Sequence, residues 1–109
     1  PNVSFDVGEA LTYLGVGSRT LIAEALELAP FTKQLYSSDA FGVPELYLLG
    51  SAQFRRALAD VLGAWVEDGD ATMEDAHRIA RLICVGNAER LFSCARKKRT
   101  CKPLIVITA

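Results

Sequence analysis

Asp39 is the residue whose surroundings in the sequence best suit chemistry. It follows "LYSS", residues 35–38, where an apolar segment ends, and a glycine and a proline then lead into a long amphipathic stretch. A carboxylate at the carboxyl end of a parallel strand lies where sites gather in α/β folds. It can bind a hard or borderline metal ion and accept a proton from bound water. The alternative is an aspartate that only starts the next segment as an N-cap or Asx turn.

Other chemically capable residues have weaker support in the sequence. Ser37 and Ser38 have no neighbouring base that would activate a hydroxyl. "GVGSR", residues 15–19, lacks the ending of a phosphate loop. His77, the single histidine, falls on a predicted helix and fits a partly exposed position. Glu45 fits an acidic residue in the first turn of a helix, where the helix dipole favours it.

Three cysteines, Cys84, Cys94 and Cys101, are too few and too irregularly spaced for a disulfide framework. Cys94 and Cys101 do not have the spacing of a CxxC metal knuckle. The sequence therefore favours reduced structural thiols in a cytoplasmic protein. A regulatory or metal-binding role is the open alternative.

The first half of the chain predicts strand, helix and strand. Residues 2–7 alternate, with Val3, Phe5 and Val7 on one side, which indicates a short strand. An apolar stripe predicts a helix over 19–29 with Ser18 as its N-cap, and Pro30 stops it. "FTKQLYSSD" then predicts a second strand over about 33–37.

The second half predicts helices. Pro44 suits the first turn of a helix over about 44–67, whose core stripe includes Trp65. Thr72, with Asp75 three residues later, approximates a capping box for a third helix, and "EDGD" before it is a turn. Gly86 and Asn87 end or reset that helix, and "AERLF" predicts a last helical turn.

The order strand, helix, strand, helix, helix is typical of a parallel α/β arrangement. Two short strands do not make a stable sheet by themselves. The chain therefore either associates with copies of itself or belongs to a larger barrel or sheet.

Charge divides the chain into two parts. Residues 1–93 carry seven Lys and Arg against thirteen Asp and Glu, a net charge of −6, which offers no nucleic-acid footprint. Residues 94–109 carry five Lys and Arg and no acid, so this tail is basic, with an apolar end "PLIVITA". The run "ARKKR" at 95–99 fits a solvated linker, with anionic partners as the alternative.

No apolar run is long enough for a membrane span.

Two motifs carry a family resemblance. "SSDA" followed by "PE" supplies Ser37, Ser38, Asp39, Ala40, Pro44 and Glu45, and "VGNAERLF" occupies 85–92. Over about residues 2–92 the chain resembles the C-terminal part of the amidohydrolase family, type 2 branch. These are metal-dependent hydrolases and decarboxylases on a (β/α)8 barrel. The subgroup it resembles occurs alone or fused ahead of a glutamine-synthetase-like domain.

The resemblance implies a fold, a site and a metal. The chain would be α/β, a helix-rich C-terminal fragment of a (β/α)8 TIM barrel with its last two strands and the following helices. Asp39 matches the aspartate at the end of strand eight, a catalytic residue that binds the metal or its water and moves the proton. Asp6, at the end of strand seven, is a weaker candidate that lines the same mouth or only forms a turn. Zinc or manganese and a small-molecule substrate belong to the parent enzyme.

The ligand set is incomplete in this chain. The family holds its metal with several histidines, including a His-x-His pair, and His77 is the one histidine here. A full barrel takes about 250 residues, so we expect a fragment, with 1–93 from the barrel and 94–109 an atypical tail. Alone it should bind no metal, be inactive and self-associate, without nucleic-acid or membrane partners. The alternative is a non-catalytic helical module for self-association or binding, derived from a barrel remnant.

Overall fold

The computed structural model describes residues 2–92 and the backbone of residues 105–108. A single short strand opens the chain, and only helices of different types follow it up to residue 92. In chain order the elements are β1 (Val3–Asp6), α1 (Gly8–Leu14), a 3-10 turn (Gly15–Gly17), α2 (Ser18–Leu28), a 3-10 turn (Phe31–Lys33), α3 (Pro44–Asp68), α4 (Met73–Arg81), a π-helix (Leu82–Gly86), α5 (Asn87–Phe92) and β2 (Ile105–Thr108).

β1 confirms the first predicted strand. It pairs in parallel with β2, with Val3 opposite Ile105 and Asp6 opposite Thr108. Phe5 and the following Val7 pack on the helical core as the alternation predicts, but Val3 is exposed. On the opposite face of β1, Ser4 and Asp6 are buried as well.

The prediction of a second strand over 33–37 is wrong, because this segment does not form a regular strand. The segment starts as a 3-10 turn and makes a single parallel bridge from Gln34 to Phe5. Side chains take the place of ladder bonds here. The Asn87 amide donates to the carbonyls of Phe31, at 2.7 Å, and Gln34, at 2.8 Å. The Gln34 amide in turn donates to the Ala29 carbonyl at 2.7 Å.

The two long predicted helices are confirmed. α2 ends before Pro30, and α3 starts with Pro44 and ends at the left-handed Gly69. Their facing stripes form most of the core, which Trp65 flanks half-buried with its ring 6.3 Å from that of Phe31. The buried apolar residues of α2 and α3 are Ile22, Ala25, Leu26, Phe54, Ala57, Leu58, Val61 and Leu62.

The two predicted N-caps have different outcomes. Thr72 and Asp75 form the complete capping box at the start of α4, so that prediction is confirmed. The Ser18 prediction is wrong, because Ser18 is already the first residue of α2. Its hydroxyl donates backward to the carbonyls of Leu11 and Gly15 instead of accepting an amide of its own helix.

The predicted reset at Gly86 and Asn87 corresponds to a change of helix type. The chain widens into the π-helix and then continues as α5. Asn87 is fully buried at this junction. Arg90, one turn later, donates to the Thr32 carbonyl, so α5 is attached to the segment that leads toward Asp39.

The described residues therefore form a helix-rich α/β unit, and they do not close into a barrel. The basic run 95–99, Cys94 and Cys101 lie outside the residues that the structure describes. Within the part that it does describe, no helix has the length and apolar character needed to cross a membrane.

Candidate functional site

Three side chains meet at the N-terminus of α1, above Gly8. A β carbon built on Gly8 would lie 3.0 Å from Asp6 Oδ1, 3.0 Å from Ser37 Oγ and 3.2 Å from Asp39 Cβ. These distances are at or near the closest approach that real β carbons show. The absence of a side chain at Gly8 therefore allows the end of β1 and the 37–39 segment to come together.

Asp6 is held by the turn that connects β1 to α1. Its Oδ1 accepts the Gly8 amide at 2.9 Å. The residue is 5% exposed, so its carboxyl group lies mostly out of water. Of the two predicted roles of Asp6, the structure shows the turn residue, through the bond to the Gly8 amide; the predicted place in a barrel mouth stays a prediction.

The two serines of the "SSDA" motif shape the backbone around Asp39. Ser37 Oγ accepts the Asp39 amide at 3.1 Å, and Ser38 Oγ accepts the Ala40 amide at 3.3 Å. Asp39 adopts φ = 46°, a left-handed conformation that Asp tolerates better than most residues. The serines thus have a structural role here, and each hydroxyl fixes one amide of the turn.

Asp39 is exposed and lies on the wall of an open pocket of about 240 Å³. Glu9 and Thr12 of α1 also line this pocket, and the exposed rings of Tyr13 and Phe41 border it. The hydroxyl of Thr12 is buried and has no hydrogen-bond partner among the described residues. The pocket therefore combines carboxylates, one free hydroxyl and aromatic surface.

Burial raises the pKa of Asp6. The nearby Asp39 carboxylate raises that pKa as well, and the hydrogen bond from the Gly8 amide opposes both effects. Both causes of the increase disfavour a charged Asp6. Asp6 is buried and Asp39 is exposed, so Asp39 is the more accessible of the two carboxylates.

The elevated pKa of Asp6 predicts a pH-dependent cost in stability. At pH values below the ordinary carboxyl pKa, Asp6 is protonated in both the folded and the unfolded chain, and its burial does not lower the free energy of unfolding. As the pH rises, Asp6 ionises in the unfolded chain first, because its pKa is higher in the folded chain. The free energy of unfolding therefore falls. We expect Asp6→Asn, which keeps the acceptor for Gly8, to raise the free energy of unfolding at pH 7 and to have less effect near pH 3.

Urea denaturation at the two pH values measures this difference. Glu9→Gln is the matched control, since Glu9 is an exposed acid at the start of α1. Its effect should stay within about 0.5 kcal/mol at both pH values. An Asp6→Asn effect of the same size at pH 3 and pH 7 would contradict the assignment.

The structure brings together only part of the predicted set. His77 is exposed on α4, Glu45 lies in the first turn of α3, and Cys84 is an exposed free thiol. Across residues 2–92, no three His, Cys, Asp or Glu side chains form a group that could hold a metal ion. Among these residues, Asp39 is therefore not joined by other side chains into a set that could hold a metal ion.

Gly8 and Asn87 are important residues that the sequence analysis missed as individuals. Asn87 was predicted only to end or reset the third helix together with Gly86, yet its side chain also fixes the backbone at Phe31 and Gln34. An asparagine directly after Gly86, at the start of a short helix, was the available signal. Gly8, directly after a predicted strand, gave a weaker one.

The chain is similar to two curated proteins. Protein fluG of Emericella nidulans is 37% identical over 93 residues, which cover 84% of this chain and 11% of that protein. A uronate isomerase of Bacillus licheniformis is 46% identical over 48 residues, which cover 42% of this chain and 10% of that protein. The matched segments thus span about a tenth of each relative. No protein-family model matches, and no solved structure gives a significant match.

Proposed function

We propose that residues 1–93 are the C-terminal part of a metal-dependent amidohydrolase with a (β/α)8 barrel. The observation that carries the proposal is the meeting of Asp6, Ser37 and Asp39 above Gly8. In this assignment β1 is barrel strand seven. The segment around Gln34, which bridges to β1 in parallel, takes the place of strand eight. Both lead into the same edge, where active sites of such barrels lie.

The comparisons support a longer parent enzyme. Each relative is far longer than the segment matched, and one of them is named as an enzyme of uronate isomerisation. Hydrolysis and isomerisation both need a group that accepts and returns a proton. We propose hydrolysis of a C–N or related bond in a small-molecule substrate, because the "SSDA" and "GNAERLF" motifs resemble those of amidohydrolases.

Asp39 is the residue that performs the proton transfer in this proposal. Its carboxylate accepts the proton of the attacking water and returns it to the leaving nitrogen as the C–N bond breaks. The turn made by Ser37 and Ser38 holds Asp39 at the rim, where it is exposed to an approaching substrate.

A divalent zinc or manganese ion would supply Lewis acidity and activate the water. Asp39 suits such an ion as one oxygen ligand. The described residues offer too few donors to hold the ion without further ligands. We therefore assign the remaining ligands to histidines in the rest of the barrel. Separately, we propose that the parent enzyme is cytoplasmic.

The 109-residue chain alone should be inactive. We expect no turnover of amide, lactam or related substrates after addition of Zn²⁺ or Mn²⁺, because most donors are missing. The measurement is product release with the metal in excess, and a longer protein that contains this segment and a His-x-His pair serves as the positive control. Robust metal-dependent turnover by the short chain would contradict the fragment assignment.

A self-association module is the second candidate function. The observation that favours it is a set of large apolar side chains on the surface of the first turns of α3 and the loop before it. Phe41 is 91% exposed, Leu48 75% and Tyr47 58%. Sedimentation equilibrium tests this candidate, and a monomer at all concentrations counts against it.

A further inference from the structure

A second open pocket lies between the start of α2 and the middle of α3. It has a volume of about 420 Å³, within the range of small-molecule sites, and it shares no lining residue with the pocket at Asp39. Four residues of "GVGSR", the segment that lacks the ending of a phosphate loop, form one wall. One stripe of α3 forms the other wall, at Gln53, Arg56, Ala57 and Asp60.

Two guanidinium groups from different helices line this pocket. Arg19 belongs to the first turn of α2, and Arg56 lies on α3. Both side chains are exposed, and within residues 2–92 neither makes a hydrogen bond or an ion pair. Their N–H donors are therefore available to a ligand.

The other groups of the lining leave the pocket positive. Asp60 is its one carboxylate, so two cations and one anion give a net charge of +1, whereas residues 1–93 together carry −6. The first turn of α2 contains no acidic residue, so the helix dipole adds positive potential at this wall. Gln53 contributes further polar surface, and its Oε1 is buried without a hydrogen-bond partner among the described residues.

We propose that this pocket binds a small molecule through an anionic oxygen group, a phosphate or a carboxylate, held by Arg19 and Arg56. The planar fork of a guanidinium group matches two oxygens of either anion. The pocket at Asp39 differs in charge, because Glu9 and Asp39 line it and no Lys, Arg or His does. The inference does not depend on the enzymatic function proposed for Asp39.

NMR titration of the isotope-labelled 109-residue chain tests the proposal. Sodium phosphate and sodium acetate are used separately, with sodium chloride adjusted to hold the ionic strength constant, because screening alone changes surface electrostatics. We expect saturable shifts of the amides of Gly15, Val16 and Arg19. Saturation by either anion supports the site, and the anion that binds more tightly identifies the phosphate or the carboxylate class. The absence of saturation by both anions would overturn the proposal.

Arg56→Gln and Arg55→Gln form a matched pair. Each removes one positive charge from an exposed position of α3, but Arg55 does not line the pocket. Arg56→Gln should raise the Kd of the tighter anion about fivefold, the loss of one exposed ion pair. Arg55→Gln should leave that Kd within about twofold of wild type. Equal weakening by both substitutions would overturn the proposal, because it would indicate attraction by the overall charge.

Asp60→Asn provides a readout of the opposite sign. It removes the carboxylate of the lining, so the Kd of the anion should fall about twofold, whereas Asp68→Asn, at the exposed end of α3, should leave it unchanged. An unchanged or higher Kd in Asp60→Asn would overturn the placement of the anion beside α3. Circular dichroism verifies that each variant is folded, and none of these outcomes affects the assignment of Asp39.

Discussion

Asp39→Asn, in a longer protein that carries this segment in a complete barrel, is expected to lower kcat by about 10²- to 10⁴-fold, the range for loss of a general base. The amide keeps the size and the hydrogen-bonding geometry of the side chain but cannot take up a proton at neutral pH. The turn should survive, since Ser37 bonds the Asp39 backbone amide and not its side chain. Steady-state kinetics with substrate in excess measure the change.

Glu45→Gln is the matched control for the Asp39 substitution. It removes one carboxylate six positions later, from an exposed site in the first turn of α3. We expect kcat within about twofold of wild type, since loss of a first-turn acid affects helix stability by only about 0.3–1 kcal/mol. Wild-type activity in Asp39→Asn, with the metal content unchanged, would remove the catalytic assignment.

Asn87→Ala should be among the most destabilising single substitutions in the described residues. Asn87 is fully buried, and its amide donates to two backbone carbonyls, those of Phe31 and Gln34. Its removal leaves both acceptors without that donor, and we expect a loss of about 2–4 kcal/mol from two unmade bonds. Urea denaturation followed by circular dichroism provides the measurement.

Two further variants make the Asn87 result interpretable. Asn87→Asp has nearly the same shape but no amide donor, so it should be at least as destabilising as Ala at pH 7. Glu89→Gln, on the exposed side of the same helix, should stay within about 0.5 kcal/mol of wild type. A stable Asn87→Asp variant would show that packing, and not hydrogen bonding, keeps α5 in place.

The helices could be predicted because their signals are local. The apolar stripes of α2 and α3 and the Thr72–Asp75 box each arise within one or two turns of chain. The bounds followed from Pro30, Pro44 and the turn before Thr72. These signals lie within a short segment and do not depend on contacts with residues far away in the sequence.

The second predicted strand failed because its pairing is not local. The sequence of 33–37 favours an extended chain, and the structure keeps it extended near Gln34. Asn87, more than fifty residues later, bonds the carbonyl of Gln34 within this segment and that of Phe31 just before it. No pattern within 33–37 contains that information.

The sequence selected two residues of the candidate site, Asp39 and Asp6, but it indicated neither Gly8 nor the arrangement of the site. The motif and the family resemblance selected Asp39, and Asp6 followed from its place at the end of β1. The close approach of both to Gly8 could not be deduced, because it depends on how a turn and a loop pack. The left-handed backbone of Asp39, with φ = 46°, was not predicted either.

The π-helix of five residues between α4 and α5 sets the phase of the last helix. Such a widened turn holds one residue more than an α-helical turn does. Each residue of an α-helix advances the side chains by about 100°. One surplus residue therefore decides that Asn87 faces inward while Glu89 faces water. A deletion of a single codon in this stretch would rotate α5 about its own axis, although the composition and the helical content would hardly change.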